Sequence, residues 1–118
     1  MTLSQVINAV PALNKVSSTP ISLFLSYKVK KLLNTIQGDV DFFNEKQQEL
    51  VEKYGYIKDD NSYVIDEDKK QVFQIEMNEL AQMQVDIQVE KIALPIDSPI
   101  ELSVIEIGSL EPFITFVE

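Results

Sequence analysis

The fold is decided by residues 20–54, which read PISLFLSYKVKKLLNTIQGDVDFFNEKQQELVEKY. Apolar side chains recur there at every third or fourth position, which is the period of one face of an α-helix. This stripe consists of Ile21, Leu25, Val29, Leu32, Ile36, Val40, Phe43, Leu50 and Tyr54, and only Gln47 interrupts it. The pattern predicts one long amphipathic helix over 20–54. Thr19 is its expected N-cap, Pro20 fits the first turn, and Gly55 is expected to end it in the left-handed conformation.

The length of this helix limits how the chain can pack. A helix of 35 residues spans about 52 Å, whereas a compact chain of this size is roughly 35 Å across. The helix must therefore protrude, pack against another copy of the chain, or break at Gly38-Asp39. One exposed glycine weakens a helix by only about 1 kcal/mol, so we favour one long helix, straight or bent at Gly38, over a break there. Its apolar stripe serves as core or as an oligomer interface, and we favour core.

Two further helices and a hairpin are predicted beside it. A helix from about Leu3 to Lys15 follows the spacing of its apolar residues, with Thr2 or Ser4 as the cap. Pro11 should kink or shorten this helix because it lacks an N–H group.

The stretch from Gly55 to Ile65 reads as a β-hairpin that turns at Asp59-Asp60-Asn61. Asp66-Glu67-Asp68 then opens a helix, with an Asx cap and acids at the positive end of the dipole. This helix should end near Gln82.

The C-terminal third is expected to be less regular. Alternating apolar and polar residues predict a strand over 84–92. Val104 to Leu110 suggests a short helix or turn capped by Ser103, and Ile114 to Val117 a terminal strand or a docked tail.

The predicted fold class is mostly α with a small β element (α+β), in one domain over 1–118. The helical part covers 3–54 and 67–82, and the β or irregular part covers 55–66 and 84–118. The side chains expected to be buried are Leu25, Val29, Leu32, Ile36, Phe43, Leu50, Phe73 and Leu80.

The composition closes most routes to catalysis. The 118 residues contain no His, Cys, Trp or Arg, so every basic residue is a lysine. Without His and Cys, Ser-His-Asp and Cys-His chemistry and thiolate zinc sites are excluded. Lys, Tyr and carboxylate chemistry remain, but no recognisable constellation of these residues is present. We expect no enzyme activity, no catalytic residue, no cofactor and no metal.

The charge is acidic and unevenly distributed. The net charge is −9, with +4 over residues 1–38 and −13 over residues 39–118. This balance argues against direct binding of a nucleic-acid backbone or of an anionic membrane. No signal peptide and no membrane-spanning window is apparent. We therefore expect a soluble, cytosolic protein.

Several residue groups invite a functional interpretation, and each has a simpler one. The loop that starts at Asp59 fails the calcium template, since Val64 and Lys70 stand where glycine and glutamate are required. Tyr27 and Lys31 have the spacing of a dehydrogenase pair, but the glycine-rich loop that such chemistry needs is missing.

Charged side chains on the long helix suggest an interaction surface. Lys28, Lys30 and Lys31 form a small basic cluster, while Glu45, Glu49 and Glu52 line one side without the histidines of a di-metal site. Solvated helix faces explain both groups. The candidate interaction face comprises Lys28, Lys31, Glu45, Glu49, Glu101, Glu106 and Glu111.

Five segments together resemble a family of small uncharacterised proteins of tailed bacteriophages and prophages of Gram-positive bacteria. They are Pro11-Ala12-Leu13-Asn14-Lys15, Ser26-Tyr27-Lys28, Leu50-Val51-Glu52-Lys53-Tyr54-Gly55, Asn78-Glu79-Leu80 and Leu110-Glu111-Pro112-Phe113-Ile114. The resemblance covers nearly the whole chain. It implies a phage gene, a location in the host bacterial cytoplasm or the virion, and a binding role.

Two functional hypotheses follow. The first is a non-enzymatic phage protein that binds a phage structural protein or a host factor, as an assembly accessory or a modulator. The alternative is an acidic, DNA-mimic-like inhibitor of a host nuclease or defence protein. A homo-oligomer formed through the long helix is compatible with either hypothesis.

Overall fold

The computed structural model describes all 118 residues as four α-helices and two small two-stranded sheets. The elements are α1 (Leu3–Ser17), α2 (Leu23–Tyr54), β1 (Gly55–Ile57), β2 (Tyr63–Ile65), α3 (Lys70–Gln82), β3 (Ile92–Pro95), α4 (Val104–Leu110) and β4 (Ile114–Val117). A single 3₁₀ turn, Glu67–Lys69, precedes α3. The predicted class, mostly α with a small β element, is confirmed.

Helix α2 is continuous through Gly38 and sets the shape of the molecule. Its 32 residues extend about 48 Å, and the molecule measures 52 × 30 × 24 Å. The predicted start at Pro20 with Thr19 as N-cap is wrong. Ser22 caps the helix by accepting the N–H of Leu25 at 3.3 Å, while the Thr19 hydroxyl donates to the carbonyl of Lys15 at the end of α1.

Helices α1 and α3 pack along α2 one after the other, which explains how a helix of this length is accommodated within one chain. Only residues 18–22 join α1 to α2, so α1 runs antiparallel along the N-terminal half of α2. Lys53 of α2 lies 3.7 Å from Glu76 of α3, and α3 covers the C-terminal half. The two shorter helices meet where the N–H of Leu3 donates to the carbonyl of Met83 at 2.8 Å. Intramolecular partners thus cover both halves of the long helix.

The interior consists of two separate apolar clusters. The larger holds 13 buried residues from α1, the N-terminal half of α2, β3, α4 and the start of β4. The smaller holds Val51, Tyr54, Ile65 and Phe73 at the far end. No residue of α2 between Ile36 and Val51 is buried.

The predicted burial is confirmed for four of eight residues, namely Val29, Leu32, Ile36 and Phe73. Leu25, Phe43, Leu50 and Leu80 are only half-buried, so the prediction is wrong for them. Phe43 and Leu50 belong to the stretch of α2 between the clusters, and Leu80 lies in the α2–α3 groove. A single covering layer leaves such positions partly open to solvent.

Helix α1 is longer than predicted. Of the two predicted caps, Thr2 and Ser4, the structure uses Thr2, which forms a capping box with Gln5, and the helix continues six residues beyond Pro11 to Ser17. The side chain of Pro11 is exposed. The proline therefore points away from the core and does not shorten the helix.

The hairpin is confirmed, but the role of Gly55 differs from the prediction. Gly55 has φ −169° and begins β1 opposite Ile65, so it is not a left-handed cap. A Cβ atom there would overlap the carbonyl oxygen of Val64 and lie 2.8 Å from the Cα of Ile65. Close backbone approach is thus what requires glycine. The left-handed residue of this region is Asn61 in the turn, at φ 67°.

The start of α3 also needs a correction. The predicted Asx cap is absent, because the side chain of Asp66 makes no capping hydrogen bond. Its backbone N–H instead donates to the carbonyl of Tyr54 at 2.9 Å, which ties the hairpin to the end of α2. The predicted helix end at Gln82 is confirmed.

The predicted strand over 84–92 is wrong for most of its length. Gln84 makes one isolated bridge with Thr2, and a regular strand begins only at Ile92. The predicted alternation of burial is present over 85–90, but no neighbouring strand lies alongside to form a ladder.

The C-terminal predictions are confirmed. Ser103 caps α4 through a capping box with Glu106, and β4 forms as a terminal strand. Strands β3 and β4 pair in parallel, with Ile92 opposite Ile114, and α4 lies in the crossover between them.

Candidate interaction surfaces

The seven residues of the candidate interaction face lie in three places. Lys28 and Lys31 line one groove on the N-terminal half of α2. Glu45 and Glu49 lie at least about 21 Å further along the same helix, and Glu49 pairs with Lys46 at 3.1 Å. Glu101, Glu106 and Glu111 belong to α4 and its flanks. The structure brings the two lysines together and leaves the carboxylates in separate groups.

Glu106 links two elements of the fold through a hydrogen bond and an ion pair. Its carboxylate accepts a hydrogen bond from the backbone N–H of Ser103 at 2.9 Å and pairs with Lys15 at 3.2 Å. The Ser103 N–H and then the Lys15 ammonium lower the pKa of Glu106 from its ordinary value. The side chain thereby joins α4 to the end of α1.

Removal of this charge should make stability depend less on pH. Because the pKa is lowered by folding, ionised Glu106 stabilises the fold above its unfolded-state pKa, and this contribution is lost as the pH falls through the folded-state value. Glu106→Gln keeps a capping-box side chain but loses the charge. We expect a lower thermal midpoint than wild type at neutral pH and a smaller difference at about pH 3.

Thermal unfolding followed by circular dichroism at both pH values checks this expectation. Glu101→Gln is the matched control, since Glu101 is exposed and forms no ion pair. If the thermal midpoint of Glu106→Gln lies below that of wild type by the same amount at both pH values, the role assigned to the Glu106 charge is wrong.

A group of large apolar side chains is exposed at one end of the molecule. Leu23 and Ile105 are 87% and 84% exposed, and Phe24, Tyr27 and Val104 are also exposed. The Lys15–Glu106 pair holds the first turn of α4 against the end of α1, and five residues later α2 begins. The first turns of α2 and α4 therefore lie at the same end. We call these five residues the apolar end.

A basic groove runs beside the apolar end, between α2 and the segment that leads into β3. Its volume is about 300 Å³, and Leu32, Val89 and Ile92 supply its apolar lining. Lys28, Lys31 and Lys91 also line it, and none of them forms an ion pair. Lys28 lies over the ring of Phe24 at 4.4 Å from its centroid. We call this feature the basic groove.

The other titratable groups that the sequence singled out are placed as follows. No three carboxylates converge in the way that metal ligands do. Tyr27 is exposed beside Lys31, with no glycine-rich loop nearby. Glu76 is the one residue with a buried, unpaired oxygen, and its other oxygen faces Lys53.

Sequence reasoning missed two parts of these surfaces. Lys91 is distant from Lys28 in the chain, and only packing of residues 88–92 beside α2 brings it into the basic groove. Val104 and Ile105 were assigned to a short helix without regard to its exposed side. The adjacency of two large apolar residues to the cap Ser103 was the available signal, since a short helix cannot bury both on one face.

No protein-family model, curated protein or solved structure matches the chain. None of the helices combines the length and the hydropathy needed to cross a membrane.

Proposed function

We propose that this chain is a non-enzymatic protein that acts by binding another protein. As the resemblance to phage proteins implies, it would act in a phage-infected bacterium as an assembly accessory or as a modulator of a host factor. The apolar end is the observation that carries the proposal. Large exposed apolar side chains grouped at one end of a molecule favour an interaction site there, because burying them against a partner is favourable.

The surroundings of the apolar end support the same conclusion. Helices α1 and α3 already pack along α2, and Leu23 and Phe24 remain exposed beside them. The neighbouring lysines of the basic groove add a charged rim on one side. An apolar centre with a polar rim is the usual anatomy of a protein–protein interface.

Affinity capture from phage-infected host cells tests the proposal. The tagged chain is compared with the double variant Leu23→Ser/Ile105→Ser, and captured proteins are quantified by mass spectrometry. We expect one specific protein to be enriched by wild type and to fall by about tenfold with the double variant, since losing two apolar anchors costs at least 1–2 kcal/mol. Tyr56→Ser on the hairpin, also exposed, is the control and should capture like wild type.

The identity of the captured protein separates the two roles. A head, tail or packaging protein would support an assembly role, and a host enzyme or regulator would support modulation. Equal capture by all variants would contradict the use of the apolar end. Turnover of a substrate that a single carboxylate or lysine substitution abolishes would overturn the proposal as a whole.

A further inference from the structure

The backbone of Asp86–Lys91 has no hydrogen-bond partner within the protein. Before it, the N–H of Val85 donates to the carbonyl of Met1 at 2.9 Å, and after it the N–H of Ile92 donates to the carbonyl of Phe113 at 2.9 Å. Between these two bonds no backbone N–H or C=O group is paired. Folded proteins pair most backbone groups with one another. Six consecutive unpaired residues are therefore available to a partner.

The segment is nevertheless held in place. Val85, Ile87 and Val89 are half-buried against the larger apolar cluster, while Asp86 and the other intervening residues are exposed. This alternation has the period of two that an extended chain requires, and the segment runs directly into β3. The segment is not paired as a strand, but its side chains already pack against the core, which reduces the entropic cost of adding a strand along its unpaired backbone.

The charge beside this edge specifies what can bind. Lys28, Lys31 and Lys91 lie around the basic groove without ion-pair partners, and Glu90 is its one carboxylate. The groove is thus locally positive in a chain of net charge −9. A protein segment is favoured over nucleic acid as the occupant, since the open edge offers backbone pairing and the chain contains no arginine.

We propose that the basic groove binds an extended acidic segment of a partner protein, which pairs as a β-strand with residues 86–91. Side chains of a strand alternate between its two faces. Acids at every second position of the bound segment would lie on the face turned toward the lysines of the groove, and the side chains between them would point away from it. This inference rests on the proposed binding function and names the chemistry of one partner segment.

A synthetic peptide of about eight residues with alternating glutamate and valine is the probe, since this is the length of an ordinary strand. Its binding to the purified chain is measured by fluorescence anisotropy. We expect saturable binding of this peptide and none of the matching lysine–valine peptide. Methylation of every backbone nitrogen of the acidic peptide should weaken binding by about tenfold, because it removes the pairing N–H groups without changing the charge.

Variants of the chain test the lysines. Lys28→Gln/Lys31→Gln/Lys91→Gln should bind the acidic peptide about tenfold more weakly, because three exposed charge pairs are lost. Lys30→Gln is the matched control, since Lys30 is exposed on the same helix but does not line the groove. It should change the affinity by less than about twofold.

The following results would overturn the inference. They are no binding of the acidic peptide at millimolar concentration, equal binding of the methylated peptide, and equal binding by the triple lysine variant. Displacement of the peptide by single-stranded DNA at lower concentration would assign the groove to nucleic acid and also overturn it. If the inference fails while Leu23→Ser/Ile105→Ser still abolishes capture from cells, the proposed function stands. If Leu23→Ser/Ile105→Ser captures proteins as wild type does and the acidic peptide still binds, the assignment of the apolar end as a binding site is wrong, whereas the inference about the basic groove stands.

Discussion

Phe113→Ala is expected to lower the free energy of unfolding by about 3–5 kcal/mol. Phe113 is 0% exposed and is the largest fully buried side chain of the protein. It lies in the larger cluster between α4 and β4, and its carbonyl accepts the N–H of Ile92. Truncation would leave a cavity where β3 and α4 meet, and rigid neighbours cannot close it. Denaturant unfolding at equilibrium measures the change.

Phe24→Ala is the control for this substitution. Phe24 is 65% exposed, so the same truncation should change the free energy of unfolding by no more than about 0.5 kcal/mol. If Phe113→Ala does not fold, Phe113→Leu should still fold with a loss of about 1–3 kcal/mol. A loss below about 0.5 kcal/mol for Phe113→Ala would show that the side chain is not part of a packed core.

Gly55→Ala and Gly38→Ala should shift stability in opposite directions. A methyl group at Gly55 would collide with the backbone of Val64 across the hairpin, which cannot move aside like a flexible side chain. We expect a loss of about 2–3 kcal/mol. Gly38 lies within α2 with nothing within 4 Å of an added Cβ. Alanine there should stabilise the protein by about 0.5–1 kcal/mol, because it disfavours the unfolded chain.

Thermal and denaturant unfolding of both variants checks these signs. Amide hydrogen exchange should show the Gly55→Ala effect first in the β1–β2 hairpin and in the N–H of Asp66, which bonds to Tyr54. A neutral Gly55→Ala would disprove the close approach of the strands. A destabilising Gly38→Ala would show that α2 is not a regular, exposed helix at that position.

Local patterns predicted the helices well because their causes are local. The apolar period over 20–54 and the lack of a strong breaker at Gly38 predicted a continuous α2. Ser103 was a correct cap prediction, and Thr2 was one of two predicted caps, because a serine or threonine hydroxyl satisfies free N–H groups within one turn. The prediction of Thr19 as the cap was wrong because α2 begins three residues later, where the hydroxyl oxygen of Ser22 accepts the N–H of Leu25.

Strand pairing was predicted less well because it depends on distant partners. Residues 85–90 have the alternation of a strand, yet nothing in the chain lies beside them to complete a ladder. The short parallel pair of β3 and β4 forms instead, once α4 crosses over between them. Periodicity reports which face of a segment is buried, and it carries no information on whether a neighbouring strand is present.

The candidate surfaces likewise contain residues that local spacing groups together and residues that only packing brings together. Lys28 and Lys31 could be identified together from helical spacing, whereas Lys91 joins them only through the path of the segment beside α2. Composition alone excluded catalysis that depends on a histidine or a cysteine of this chain, because the chain contains neither residue.

The helix positions and their caps thus follow from residues close together in the chain, since helical hydrogen bonds and apolar periods are short-range. The absence of histidine and cysteine follows from composition alone. Long-range packing decided the other features. These are the packing of α1 and α3 along α2, the division of the core into two clusters, the apolar end, and the unpaired backbone of residues 86–91. Those features arise because each element must bury its apolar face against whichever element the connections place beside it.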